Sequence, residues 1–330
     1  TVSDLTMFAA GLASFGGAAA KGPGALQKLF SKVPGADKIR KIACRLGALA
    51  VAVPVAGILM NPVEVIAGQK FLNDEDELDF IFDAELPLYW QRSYLSRYQY
   101  DSVLGQGWSL FWESHLTRVE DGLLWRSLSG DTVPFPDVPK GHRCFCPEAQ
   151  SWLIHTEEGK WAIRDAGELV YHYTAFDNDG LSRLSHIRDN VGNEQRFHYN
   201  EQNRMVSITG HGGLNLHCDY VMLDIEGKTV SRLTTVWREL HDGQRIQLCR
   251  YHYNENAQLT GVSHRNDALQ RQFGWTEHGV MAWHQDKRGL RCDYQWEQTE
   301  EGLWRVMAQQ TSEGAGYRLA YDDETRTAHW

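Results

Sequence analysis

Residues 184–204, LSHIRDNVGNEQRFHYNEQNR, contain one complete two-stranded unit and decide the fold. The apolar Ile187 precedes Asp189 and a turn glycine at Gly192, and the next strand ends at Phe197-His198-Tyr199. Asp, Asn and Gly are favoured in hairpin turns because they tolerate left-handed backbone or bond their own backbone. The stretch therefore predicts a β-hairpin that closes on an aromatic residue.

The same scheme recurs along the second half of the chain. Each unit ends in an aromatic residue two positions after another apolar or thiol side chain, so both face one side of the strand. The aromatic anchors predicted in this way are Tyr173, Tyr199, Tyr220, Tyr253, Trp275, Tyr294 and Tyr321. A single hairpin is unstable alone, and pairing edge to edge removes the free edges. The repeats therefore predict a mainly β fold with one long, curling sheet and aromatic columns on one face.

Histidines and cysteines fit this alternation without catalysis. His198, His217 and His252 alternate with the aromatic column and are expected on the opposite face of the sheet. Cys218 and Cys292 occupy the apolar slot of the repeat, where a buried thiol acts as a small hydrophobe. Six cysteines without framework spacing indicate reduced thiols.

Strands are also predicted upstream of the repeats. Leu88, Trp90, Arg92 and Tyr94 alternate and share one face of a strand. Gly105-Gln106-Gly107 is followed by aromatic, strand-like sequence in place of a helix start, which favours a turn over a phosphate-binding loop. Five carboxylates between Asp74 and Asp79 lack the EF-hand spacing, so they predict a solvated acidic turn.

The first sixty residues differ from the rest because they are rich in Ala and Gly. Leu46 to Met60 is a run of 15 residues without a charge, shorter than the about twenty that a membrane span needs. One or two short buried helices are predicted, and a membrane-seeking or chaperone-held segment is the alternative. We divide the chain into an apolar N-terminal segment (1–60), upstream strands (61–140) and the repeat sheet (141–330). The net charge of −10 argues against nucleic acid as a partner.

Several motifs together resemble the Rhs/YD-repeat proteins. They are LPLYWQRSYLSR, LGQGWSL, DGLLWR, SGDTVPFP and IRDNVGNEQRFHYNEQNR, and the resemblance extends from about Asn61 to Trp330. It implies that the hairpins wind into part of a hollow cocoon around a toxic polypeptide at the C-terminal end of the same chain. We expect the chain to continue beyond Trp330, with residues 1–60 as a plug or delivery segment.

The resemblance also implies partners and a route. The shell segment would contact the C-terminal shell and toxin regions of its own polypeptide. A secretion chaperone and a VgrG/PAAR spike of a type VI secretion system would deliver it from the bacterial cytoplasm into a target cell. An immunity protein would bind the toxin and not this segment, and no cofactor is implied. An adhesion module that binds carbohydrate or a cell surface is the alternative function.

Two positions could carry chemistry. Some Rhs proteins are cut before the shell at a bond preceding a proline, and Asn61-Pro62 matches that position, although X-Pro pairs are also common at boundaries. His142, Cys144, Cys146 and His155 form the densest ligand-like cluster, but paired zinc cysteines are usually two to four residues apart. We therefore predict no metal site and no catalytic residue, with self-cleavage near Asn61 as the one possible reaction.

Overall fold

A computed structural model describes residues 63–64, 67–322 and 327–329, and its regular structure consists of antiparallel strands and three short 3-10 turns. The strands are β1 (Val63–Glu64), β2 (Gln69–Leu72), β3 (Leu78–Phe82), β4 (Leu88–Leu95), β5 (Asp101–Ser102), β6 (Gly105–Gln106), β7 (Trp108–Leu110), β8 (His115–Val119), β9 (Gly122–Arg126), β10 (Thr132–Pro136), β11 (Arg143–Cys146), β12 (Ser151–His155), β13 (Trp161–Arg164), β14 (Val170–Tyr173), β15 (Leu181–Arg188), β16 (Glu194–Tyr199), β17 (Met205–Gly210), β18 (Leu214–Ile225), β19 (Lys228–Glu239), β20 (Arg245–Tyr253), β21 (Leu259–His264), β22 (Leu269–Trp275), β23 (Met281–Asp286), β24 (Arg291–Gln298), β25 (Trp304–Thr311), β26 (Gly316–Arg318), β27 (Ala320–Asp322) and β28 (Thr327–His329). The 3-10 turns are Glu75–Glu77, Phe111–Glu113 and His211–Gly213.

The first strands form a small sheet, here called the N-terminal sheet, which comprises β1, β2, β3, β4 and β7. Its central strand β4 alternates strictly between buried and half-buried residues, and Leu88, Trp90, Arg92 and Tyr94 all lie on the buried face. The predicted face of this strand is confirmed. No helix follows Gly107, which has a φ of +83°, because the chain continues directly into β7.

Strands β11 to β26 form a second, much longer sheet, here called the hairpin sheet. Each strand is antiparallel to the next in chain order, from the β11–β12 pair to the β25–β26 pair. The meander β8–β9–β10 joins it, because β8 pairs with the first residues of β15. The predicted long antiparallel sheet of hairpins is confirmed.

Asx and glycine turns close many of these hairpins. The Asp189 carboxylate accepts from the Val191 and Asn193 backbone N–H groups (3.0 and 2.8 Å), and Gly192 adopts a φ of +98°. At the next turn, Asn200 accepts in the same way from the backbone of Gln202 and Arg204. A short side chain that bonds its own backbone therefore sets the loop length of each hairpin.

A β-bulge lies beside the aromatic residue that ends each unit. The register shifts between His198 and Tyr199, so Tyr199 pairs with Met205 and Val206 is the extra residue. The same shift occurs beside Tyr173, Tyr220, Tyr253, Trp275 and Trp296. A bulge interrupts the ladder and leaves backbone groups in need of other partners.

The aromatic residue of the following unit supplies one such partner. The Tyr220 hydroxyl donates to the carbonyl of Met205, at 2.7 Å. The equivalent donors and carbonyls, 2.6–2.8 Å apart, are Tyr199 and Leu184, Tyr253 and Leu233, Trp275 and Leu259, Trp296 and Met281, and Tyr321 and Val306. The aromatic column is thus a ladder of hydrogen bonds as well as a packed row.

The opposite face of the hairpin sheet is polar. His198 and His252 are exposed, and they contact the hydroxyls of Thr209 and Ser263 on neighbouring strands. The predicted placement is confirmed for His198 and His252, and His217 is half-buried with its Nε2 3.2 Å from Glu239 Oε2. The predicted N-terminal segment 1–60, with its helices, lies outside the described residues. Within the described residues, no helix reaches the length and apolarity of a membrane span.

Candidate functional site: the junction between the two sheets

The N-terminal sheet packs on the aromatic face of the hairpin sheet, and we call this interface the junction. Aromatic rings form its apolar part. The Trp108 and Phe273 rings lie 4.9 Å apart at 70°, and Phe111 meets Phe197 edge-on at 5.9 Å. The Trp90 indole N–H donates to the Tyr251 hydroxyl at 2.7 Å, 161 residues further along the chain. Such edge-to-face pairs contribute beyond the area that they bury.

The bulges contribute backbone bonds to the same interface. Leu233 N–H donates to the Val103 carbonyl (2.9 Å), and Val306 N–H donates to the Gly68 carbonyl (2.8 Å). Both donors are bulge residues whose own carbonyls accept from Tyr253 and Tyr321. Each of these two bulges therefore offers an N–H to an upstream turn and a carbonyl to the next aromatic residue.

A buried cluster of charges lies at the centre of the junction. Arg92 contacts Glu77 (Nη1 to Oε2, 2.6 Å) and Asp79 (Nε to Oδ2, 3.0 Å), and the side chains of all three are at most 1% exposed. Glu77 also contacts Arg271 of β22, which is 3% exposed. Asp79 accepts from the Tyr251 hydroxyl (2.6 Å). Two carboxylates from the N-terminal sheet are thus neutralised by one arginine from each sheet.

The surroundings set the protonation of these groups. Burial alone would raise the pKa of Asp79, but the charge of Arg92 and hydrogen bonds from His264, Arg92 and Tyr251 outweigh it and leave the pKa below its ordinary value. Burial disfavours the charged Arg92, but Asp79 and Glu77 raise its pKa above the ordinary value. Burial raises the pKa of the Tyr251 hydroxyl far above its usual range. Asp79 and Arg92 are therefore held together as a charged pair.

The acidic run was predicted as solvated, and this prediction is wrong for two of its members. Asp74, Glu75 and Asp76 are exposed, but Glu77 and Asp79 are buried. The partner that makes burial possible, Arg271, is 194 residues away from Glu77, so the local sequence does not reveal it. The sequence did contain one indication of a buried ion pair. Arg92 lies on an otherwise apolar strand face, and a buried charge requires a partner.

The structure places Tyr173, Tyr199, Tyr220, Tyr253, Trp275 and Tyr321 in the aromatic column. Tyr294 needs a correction, because the register shift falls between Gln295 and Trp296, and Trp296 makes the bulge contact. Tyr294 lies two residues earlier and its hydroxyl contacts His284 Nδ1 at 3.1 Å. Tyr294 therefore takes the position two residues before the aromatic residue at the bulge, and Cys292 is buried, as predicted for a thiol in this repeat. Cys218 does fill the slot of its own unit and is buried.

The other predicted positions do not assemble into a reactive site. His142 and His155 direct their Nδ1 atoms at the carbonyls of Lys140 and Val138. Cys144 and Cys146 are free thiols on β11. Nowhere in the part of the chain that the structure describes do three His, Cys, Asp or Glu side chains form a group that could bind a metal. Asn61 and Pro62 lie outside the described residues, so the cleavage hypothesis stays a prediction.

Comparison with known proteins extends this picture. Residues 60–135 match a family described as a domain of unknown function, DUF6531. The chain is 32% identical over 290 residues to the double-stranded DNA deaminase toxin A of Burkholderia cenocepacia (strain H111), which covers 84% of this chain and 20% of that protein. It is 26% identical over 280 residues to the toxin protein Tse5 of Pseudomonas aeruginosa, covering 74% of this chain and 21% of that protein.

A third relative carries the family name. The probable deoxyribonuclease RhsA of Dickeya dadantii (strain 3937) is 20% identical over 246 residues, which is 73% of this chain and 16% of that protein. The chain thus spans about a fifth or less of the length of these relatives. Fold and similarity together define a class, that of toxin proteins with a β-sheet of hairpin repeats. The chain belongs to the Rhs family of toxin proteins, and the family predicted from the sequence motifs is confirmed.

Proposed function

We propose that this chain is a structural segment of an Rhs shell, which curls around a toxic domain of the same polypeptide and is delivered into competing cells by type VI secretion. The observation that carries the proposal is the continuous antiparallel order of β11 to β26, with part of one face covered by the N-terminal sheet. Twist and repeated β-bulges curve a sheet of this length, and a curved wall of paired hairpins is suited to form part of a shell.

The junction would seal one part of this shell. Its charged centre is shielded from water, with Arg92 and Glu77 side chains 1% and 0% exposed. The relatives extend well beyond the part matched by this chain, so we assign the activity of the toxin to a region outside these residues. A chaperone and a VgrG/PAAR spike are the partners that the family relationship suggests for delivery.

The alternative, an adhesion module, has less support. Stacking on sugar rings needs exposed aromatic faces. None of the tryptophans in the described ranges is exposed, since all are buried or half-buried. Binding of the chain to a glycan array would nevertheless overturn this ranking.

Protection of the toxic region tests the proposal. We expect limited proteolysis of the full-length protein to leave a C-terminal fragment intact and bound to the shell. Leu233→Asp places a charge at a fully buried bulge residue and should expose the fragment to protease. Val191→Asp is the matched control, because Val191 is 78% exposed in a turn and its replacement should leave protection unchanged. Cleavage of the C-terminal region in the wild type, as fast as in the isolated region, would exclude encapsulation.

A further inference from the structure

Lys70 is a lysine buried at the junction. It lies in β2 and is 0% exposed. Its backbone is fixed on both sides by Ser96, whose hydroxyl accepts from Lys70 N–H (3.1 Å) and whose own N–H donates to the Lys70 carbonyl (2.9 Å). Its Nζ lies 4.9 Å from the centre of the Tyr294 ring, on the hairpin sheet. The side chain therefore reaches across from one sheet to the other.

Charged and titratable groups from both sheets face this amine. Among the described residues they include Asp74 and Glu77 from the N-terminal side, and Arg271, His284, Cys292 and Tyr294 from β22, β23 and β24. Asp74, Glu77 and the Tyr294 ring favour the ammonium form, whereas burial and Arg271 oppose it. Opposing effects therefore act on the charge of the amine while the two sheets are in contact, which we call the docked state.

The balance falls near neutral pH. Burial lowers the pKa of Lys70 from 10.5 to about 7, against the opposing effects of Asp74, Cys292 and Glu77. Burial, with Lys70 and Arg271, lowers the pKa of His284 well below its ordinary value. Burial raises the pKa of Tyr294 well above its ordinary value. His284 and Tyr294 are therefore neutral in the range where Lys70 changes charge.

We propose that Lys70 couples docking of the N-terminal sheet to pH, so that the junction is tight when the amine is neutral and loosens when the amine takes up a proton. Separation of the sheets would expose the amine to water, where it regains its ordinary proton affinity. Opening of the junction therefore consumes a proton. This coupling concerns the contact between two described sheets and does not depend on what the shell encloses.

The direction and the magnitude of the pH dependence follow from the linkage between proton binding and opening of the junction. A lysine whose pKa is depressed in the docked state gives a junction that is most stable above the ordinary value of 10.5. That stability declines as the pH falls, and the decline is complete below about 7. Between pH 6.5 and 8.5 the equilibrium constant for opening should decrease roughly 25-fold, from the uptake of up to one proton. Amide hydrogen exchange of β2 on the full chain, corrected for intrinsic rates, measures this constant.

Variants isolate the contribution of Lys70. Lys70→Met keeps most of the stem, and we expect the pH dependence of β2 exchange to flatten while the amides of β12, on the far part of the hairpin sheet, remain unchanged. Lys160→Met is the matched control, because Lys160 lies exposed in a turn and should keep the wild-type slope. Equal slopes in wild type and Lys70→Met would overturn the proposal.

A direct titration keeps the proposal testable even where Lys70→Met does not fold. The Nζ and Cε chemical shifts of Lys70 in the wild-type chain report its protonation. A midpoint near 7 is expected for the docked amine, and it would support the coupling. A midpoint near the ordinary lysine value would contradict it, because the amine would then be charged in both states at neutral pH.

Discussion

Replacing Arg92 by Met tests the charged centre of the junction most directly. The four buried side chains Glu77, Asp79, Arg92 and Arg271 carry two negative and two positive charges, and none is more than 3% exposed. Met preserves much of the stem but leaves one buried negative charge uncompensated. Removing one partner of a buried ion pair costs about 3–5 kcal/mol, so we expect a loss of that size in the free energy of unfolding at pH 8.

The pH dependence of this loss gives a sharper test than its size. In the wild type the pKa of Asp79 is below its ordinary value, so its contribution is present above about pH 4 and lost as the pH falls through the folded value. Without Arg92 the main remaining influence is burial, which raises the pKa of Asp79. A carboxyl that binds protons more tightly when folded loses stability as the pH rises, so the deficit should be smaller at pH 5 than at pH 8.

Urea denaturation followed by tryptophan fluorescence at both pH values measures the deficit. Taking the difference between wild type and variant at one pH cancels the shared contribution of Lys70. Arg250→Met is the control, because Arg250 is 40% exposed and its partner Asp267, at 3.5 Å, is 66% exposed, so its loss should stay below about 1 kcal/mol. A deficit for Arg92→Met no larger than the control, or the same at both pH values, would refute a desolvated charge cluster.

Two further substitutions test the hydrogen bonds at the bulges and the turn at Gly107. Tyr220→Phe removes the donor to the Met205 bulge carbonyl (2.7 Å) and should cost about 1–3 kcal/mol. Tyr317→Phe is the control and should leave the free energy of unfolding nearly unchanged, because that buried hydroxyl has no hydrogen-bond partner among the described residues. Equal losses of stability for the two variants in urea denaturation would contradict the role of the tyrosine hydrogen bonds at the bulges. Gly107→Ala would place a Cβ 2.6 Å from the Tyr94 ring, at a backbone φ of +83°. Gly243→Ala is the control, because Gly243 has a similar φ of +81° but no atom of the described structure lies within 4 Å of the added Cβ. Both alanines carry left-handed strain of about 1 kcal/mol, so a thermal midpoint for Gly107→Ala no lower than that for Gly243→Ala would rule out the close contact.

The sequence was sufficient to predict the hairpins because their determinants are local. An Asp or Asn that bonds its own backbone and a glycine with positive φ lie within a few residues of each other, as at Asp189 and Gly192. The buried face of β4 follows from strict alternation. These features need no knowledge of distant partners, and the sequence pattern identified each of them.

The junction could not be predicted in the same way because its partners are far apart in sequence. Glu77 and Arg271 are 194 residues apart in the sequence, and Trp90 and Tyr251 are 161 residues apart. The Tyr294 assignment failed for a different reason. Two aromatic residues alternate there, as Tyr251 and Tyr253 do, and the bulge position selects the second of the pair. Consistent choice of the second residue would have identified Trp296.

The charges at the junction solve a problem that a repetitive sheet creates. Bulge residues such as Leu233 and Val306 each donate an N–H to a carbonyl in an upstream turn, so similar backbone contacts are available at more than one unit. Arg271, in contrast, lies opposite Glu77 only in the observed register. Docking one unit away would keep Arg92 beside the carboxylates but separate Glu77 from Arg271, which leaves one buried negative charge uncompensated at a cost of several kcal/mol. We infer that the ion pairs contribute less to net stability than to the choice of register, because every wrong register is penalised while the correct one is merely neutral.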